Sequence, residues 1–281
     1  MKIIKGLGIF FFLAIGFSSC FDPPEFPNRP EIGYEDIYFK VTPNIVDADT
    51  LALVITFKDG DGDLGLSEDD PTYKSFPYND VFFYQENSTE KLSTYTVTSN
   101  TNEQYQILDI PNPAAGKLIF PRTKKTDNTL PEYNCLNYTY IAGRNLLIEE
   151  NDLAVLDSFV KITDTLTSST SRFFEILDTL YYTPNPNYYN ISVDFMIKNN
   201  DGSFTKYDWG CLPAYNQRFP VLSENKDVPL EGNLTYRMIG TGFQTLFNGK
   251  TMQLKVAIKD RALNESDTIT TPEFTLDKIR R

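Results

Sequence analysis

Tyr189, Ile191, Val193, Phe195 and Ile197 occupy every second position of one stretch, and Asn199-Asn200-Asp201-Gly202 follows before the chain resumes at residues 204–209. Apolar residues at a period of two put one face of an extended strand against a core, a spacing that no helix satisfies. Asn and Gly tolerate positive φ, so the four residues between read as a hairpin turn. The same period recurs in Ile37, Phe39 and Val41, and in Leu51, Leu53, Ile55 and Phe57. It returns in Leu136, Tyr138 and Tyr140, in Leu234, Tyr236 and Met238, and in Met252, Leu254, Val256 and Ile258. Shorter candidates at 81–84, 95–97, 105–110 and 118–120 are separated by prolines and Asn/Thr/Ser clusters, and the chain closes with Ile269, Phe274 and Leu276. Many short strands of this kind specify an all-β fold, an antiparallel β-sandwich.

The stretch 145–183 is less regular. Residues 146–159 fit a short helix and 173–182 either a strand or a helix, but β-branched and aromatic residues favour a β-hairpin of 159–167 with 172–181. The strands therefore assign 36–281 to the β region, with sandwich strands in 36–125 and 185–281 and an insertion at 126–184. Two sandwiches in series is the other organisation that the length allows.

Chemistry is legible at one place. The strand ending at Phe57 runs into Lys58-Asp59-Gly60-Asp61-Gly62-Asp63-Leu64-Gly65, with three carboxylates at alternating positions and glycines that let the backbone curl. Asp59, Asp61 and Asp63 can turn their oxygens to one centre. The last long strand ends in Asp260-Arg261-Ala262-Leu263-Asn264, whose Asp260 and Asn264 would reach the same pole, and Asp69 and Asp70 stand nearby in sequence. An all-oxygen set of irregular geometry suits calcium better than magnesium or zinc, in a structural rather than catalytic role. The loop is not an EF-hand: its sixth position is Leu64, where that motif needs Gly, and its twelfth is Asp70. The competing reading is an exposed Asp-Gly turn that solubilises a strand end, since close carboxylates repel by only about 1 kcal/mol per pair in water.

Composition narrows the function. A formal charge of −12, or −14 without Lys2 and Lys5, repels nucleic acid. The absence of histidine removes Ser-His-Asp and Cys-His catalysis and His-ligated zinc. No nucleophile elbow, phosphate loop or dinucleotide fingerprint occurs, so the chain reads as a non-enzyme. A carboxylate-based hydrolase is the third reading, of low specificity because 38 acidic residues always offer some pair. Tyr181-Tyr182, Tyr188-Tyr189 and Trp209 suggest a glycan-stacking face, against the plainer account that 21 Phe and 17 Tyr fill a β core.

The first residues are basic, 9–17 are apolar, and Ser18-Ser19-Cys20 follows, the layout of a signal peptide. Ser-Ser-Cys at this distance resembles the lipobox of bacterial lipoproteins, in the form common in Bacteroidetes. The resemblance implies a signal peptide at 1–19, diacylation of Cys20, and a lipid-anchored location in the outer membrane or periplasm-facing envelope. A proline-rich tether would occupy 20–35. Cys135 and Cys211 then remain, as a disulfide in an oxidising compartment or as two buried thiols. Residues 57–66, the run Arg218-Phe219-Pro220-Val221-Leu222 with Leu230-Glu231-Gly232, and 258–266 with Thr271-Pro272-Glu273-Phe274 together resemble an immunoglobulin-like lipoprotein family of Bacteroidetes. That resemblance implies an immunoglobulin-like sandwich and an envelope location, but no activity. Related repeats carry Gly where Leu263 stands. The expectation is an envelope lipoprotein with a structural calcium site and a non-catalytic binding or scaffolding role, its partners being the bilayer and an envelope protein or a glycan. The alternative is a surface glycan-binding lipoprotein of a polysaccharide-uptake system.

Overall fold

The computed structural model describes residues 25–42, 48–120, 138–140, 146–167, 171–210, 214–223 and 227–281. Cys20, the 1–19 segment, Cys135 and Cys211 lie outside the described residues, as does most of 126–145. The chain begins a sandwich, leaves it, and returns. β1 (Glu31–Lys40) and β2 (Asp49–Asp59) form an antiparallel pair with one bulge at Tyr34/Asp36. Leu51, Leu53, Ile55 and Phe57 of β2 all face inward and are buried, as their period of two requires.

At Asp59 the chain departs into the insertion. Its strands are β3 (Val81–Tyr84), β4 (Lys91–Leu92), β5 (Thr94–Thr98), β6 (Gln104–Leu108), β7 (Tyr138–Tyr140), β8 (Leu146–Glu149), β9 (Ile162–Thr167), β10 (Arg172–Ile176) and β11 (Thr179–Pro184). They hydrogen-bond in two sheets, β5-β6-β8-β10-β9 and β4-β3-β11-β7, with β6 and β8 parallel. Val81, Phe83, Leu108, Phe120, Leu146, Ile148, Ile176 and Leu180 fill the core that both sheets share.

The return strands are β12 (Ile191–Lys198), β13 (Phe204–Lys206), β14 (Leu230–Gly240), β15 (Met252–Ile258) and β16 (Ile269–Thr270). β14 joins the first pair to give the order β1-β2-β14, and the facing sheet runs β13-β12-β15-β16. Two such antiparallel sheets over one core make a β-sandwich. Val193, Phe195, Leu254 and Val256 meet Leu53, Ile55 and Met238 across that core. A single helical turn, α1 (Phe243–Phe247), adds Phe243 and Phe247, whose rings stack on Phe195 at 6.2 and 5.4 Å.

Several expectations change. The sandwich does not hold 36–125: β3 to β6 belong to the inserted sheets, so the insertion occupies 60–190. It is itself a two-sheet β unit, which joins the two organisations read from the sequence. The hairpin of β9 and β10 forms, but 146–159 is a strand followed by a 3-10 turn at Glu150–Val155 rather than a helix. A four-residue apolar run does not distinguish the two by periodicity. The tether is shorter than 20–35, because Pro27 O accepts from Gly60 N at 2.8 Å, Arg29 pairs with Asp267, and β1 starts at Glu31.

Candidate metal centre

β2 and β15 end at the same pole of the sandwich, so the residues just past their inward-facing runs, Asp59 and Asp260, meet there. Asp59 and Asp260 are 0% and 1% exposed. The acidic loop folds back over them, its curl helped by Gly62 at φ 66°. Gly60 admits no side chain, since a Cβ there would stand 2.2 Å from Phe26 O. Asp59, Asp61, Asp63 and Asp260 each bring a carboxylate oxygen to a group whose members all lie within 4.8 Å of one another.

The hydrogen bonds hold this group without quenching it. Asp63 N donates to Asp59 Oδ2 at 2.9 Å, Asp227 N to Asp61 O at 2.9 Å, and Arg261 N to Asp63 O at 3.2 Å. One oxygen each of Asp59, Asp61 and Asp63 is buried and has no hydrogen-bond partner. Burial, reinforced by Asp61 and Asp63, pushes the Asp59 carboxyl up to about 7. Burial, with Asp260 and Asp61 beside it and Arg261 opposing, takes Asp63 to about 6. Asp260 is raised too, chiefly by burial, with Asn264 opposing the shift. At an effective dielectric of about 20, ionised carboxylates at this separation repel by roughly 3 kcal/mol per pair. A hard divalent cation removes that repulsion and satisfies the orphaned oxygens together. The four acids could bind a metal ion.

Not every residue expected here takes part. Asn264 donates through its backbone N to Asp260 Oδ1 at 2.7 Å and through Nδ2 to Asp260 Oδ2 at 2.8 Å. A carboxylate only accepts, so Asn264 turns its amide nitrogen to Asp260 and orients that carboxylate. Asp70 caps the 3-10 turn Pro71–Lys74, and Asp69 receives Gln104 Nε2 on its carbonyl. Leu263 stands at φ 67°, a left-handed conformation that Gly more often takes, so the turn forms here with a leucine.

Two residues to which the sequence assigns no site role, Arg218 and Tyr78, stitch the site to the insertion. Arg218 donates to Tyr73 O at 2.8 Å, Tyr78 O at 2.6 Å and Tyr188 O at 2.6 Å, and lies 4.1 Å over the Tyr188 ring. It thereby ties the outgoing and returning legs of the insertion to one guanidinium. Tyr78 Oη donates to Arg261 O, next to the cluster. An arginine beside aromatic residues in a β-rich chain carries no local signature of such a role.

The aromatic candidates divide. Tyr181 is fully buried, and Trp209 packs edge-on to Phe195 at 5.2 Å and Tyr207 at 4.8 Å. Tyr189 stays 39% exposed, on the rim of a cleft of about 380 Å³ that Asn216, Lys259 and Glu265 also line. No protein-family model matches the sequence, and no curated protein or solved structure matches it.

Proposed function

We propose that the four aspartates hold a calcium ion that fixes the insertion to the sandwich, in a lipid-anchored envelope protein with a non-catalytic binding or scaffolding role. The observation that carries the ion is the set of three buried, unpartnered carboxylate oxygens inside a 4.8 Å group. Irregular all-oxygen donors favour calcium over magnesium, which demands a regular octahedron. The ion's place at the root of the insertion supports a structural role: the loop that supplies three ligands is the outgoing leg itself. Anchorage rests on the lipobox resemblance at Cys20. The glycan-binding alternative keeps Tyr189 and its cleft, but Tyr181 is buried in a core and Trp209 is half-buried against another, so it stands second.

Thermal unfolding of the protein in chelator and then across a calcium series tests the ion. At a hundred times the dissociation constant the stabilisation is about 2.7 kcal/mol, a shift of several degrees. The shift should vanish in Asp61→Asn and be smaller with magnesium. A midpoint that ignores calcium, or a shift that survives Asp61→Asn, would overturn the assignment.

A further inference from the structure

The sandwich has one long open edge. β14 pairs with β2 at eleven consecutive positions, from Leu230 with Asp59 to Gly240 with Asp49, without a bulge. Among the described residues, no backbone hydrogen bond reaches its other side. The remaining edges are short or interrupted. β13 has three residues and β16 two, while β1 is bulged at Tyr34/Asp36 and met at Phe39 by the C-terminal residues, with Phe39 N donating to Ile279 O and Arg281 N to Phe39 O. Long, straight, unpaired edges are templates for another strand, and natural sheets usually blunt them with proline, bulges or short length. β14, Leu-Glu-Gly-Asn-Leu-Thr-Tyr-Arg-Met-Ile-Gly, contains no proline and no bulge.

Its sequence is complementary to itself. Glu231, Asn233, Thr235, Arg237 and Ile239 alternate on the outer face and are exposed, Ile239 by 61%. In an antiparallel pairing, residues directly opposite share a face. A two-fold axis through Leu234 then sets Glu231 opposite Arg237 of the second copy, and Arg237 opposite its Glu231. Asn233 falls opposite Thr235 in the same register. Neither Glu231 nor Arg237 has an ion-pair partner among the described residues. Moving the axis one residue to Thr235 would set Glu231 against Ile239 and remove both charge pairs.

We propose that β14 pairs antiparallel with β14 of a second copy of this chain, about an axis at Leu234, joining two three-stranded sheets into one. The interaction is isologous, as closed dimers require. Edge pairing buries little beside the roughly 800 Å² per partner of standard complexes, so the dimer depends on concentration. It is independent of the cation, since Leu234 lies across from Ile55, four residues before Asp59.

Sedimentation velocity of the full-length protein in density-matched detergent, over a wide concentration range, tests the pairing. A monomer–dimer equilibrium is expected. Arg237→Glu or Glu231→Arg should each weaken it about tenfold or more, because each creates two like-charge oppositions. The double variant, Glu231→Arg with Arg237→Glu, should restore it. Unchanged melting of each exposed-site variant would show that folding is intact. A chain that stays monomeric, or a dimer indifferent to both reversals, would overturn the proposal. So would single losses that the double variant fails to repair, which would assign the edge to a different partner strand.

Discussion

In the sandwich, β2 is flanked by long ladders on both sides, and one core of 21 buried side chains spans the two sheets. In the insertion, no described pairing exceeds five positions, and the largest core group has 13 members beside two smaller ones. Short ladders leave more backbone at strand ends, and divided cores spread burial over surfaces that are easier to open. The comparison teaches that one β protein can contain a rigid frame and a looser graft. What unites them is the crossing: Arg218 holds both legs of the insertion, Leu64 of the outgoing leg is buried in the sandwich core, and Leu66 N donates to Phe219 O at 3.0 Å.

The largest expected effect attacks the frame. Phe195 is fully buried and touches Trp209, Tyr215, Phe243 and Phe247. Phe195→Ala should cost about 3–5 kcal/mol. By native-state hydrogen exchange, β12 and β15 should lose protection while β8 and β10 keep theirs. Equal loss in both units would dissolve the contrast and make the molecule one cooperative block.

A middle-sized effect sharpens the crossing. Without a cation, Asp59 at about 7 and Asp63 at about 6 bind protons that the unfolded chain, at about 3.9, has released. The folded state then holds more protons between pH 4 and 7, so stability falls as pH rises through that window. In chelator, the protein should be more stable at pH 5.5 than at pH 7, by about 1–2 kcal/mol from Asp59 alone, and its unfolding midpoint correspondingly higher. Saturating calcium should flatten that slope, because the bound ion keeps the carboxylates ionised. A midpoint that rises with pH in chelator would contradict the burial of these acids.

The smallest effect lies at the turn beside Asp260. Leu263 at φ 67° carries a left-handed strain of about 1–2 kcal/mol that glycine lacks. Leu263→Gly should raise stability in denaturant titration by about 1 kcal/mol net of glycine's greater unfolded-state entropy. Destabilisation instead would mean that the leucine side chain packs more tightly than its partial exposure indicates.

The sequence was readable where information is local. The β12–β13 hairpin follows from alternation plus Asn199 to Gly202, the last of which has φ 85° as its turn requires. The juxtaposition of Asp59 with Asp260 was readable because both end inward-facing strands. Membership of β3 to β6 was not, since a period of two reports a buried face and says nothing about which distant strand supplies the partner. Nor does composition tell that Trp209 packs half-buried against the core while Tyr189 stays exposed. At Asn264 an amide offers both a donor and an acceptor, and only the geometry shows that its Nδ2 faces Asp260.

The position of the insertion also bears on the order of events in folding. β2 must find β14 across a loop that begins at Asp59 and ends at Leu230. If the insertion closes first, its two legs emerge side by side, and the segment left to search shrinks to a few tens of residues. Each halving of a flexible loop recovers about 0.6 kcal/mol of closure entropy, so the shortcut is worth about 1 kcal/mol to the nucleus. A graft that closes first thus acts as a splint while the frame assembles.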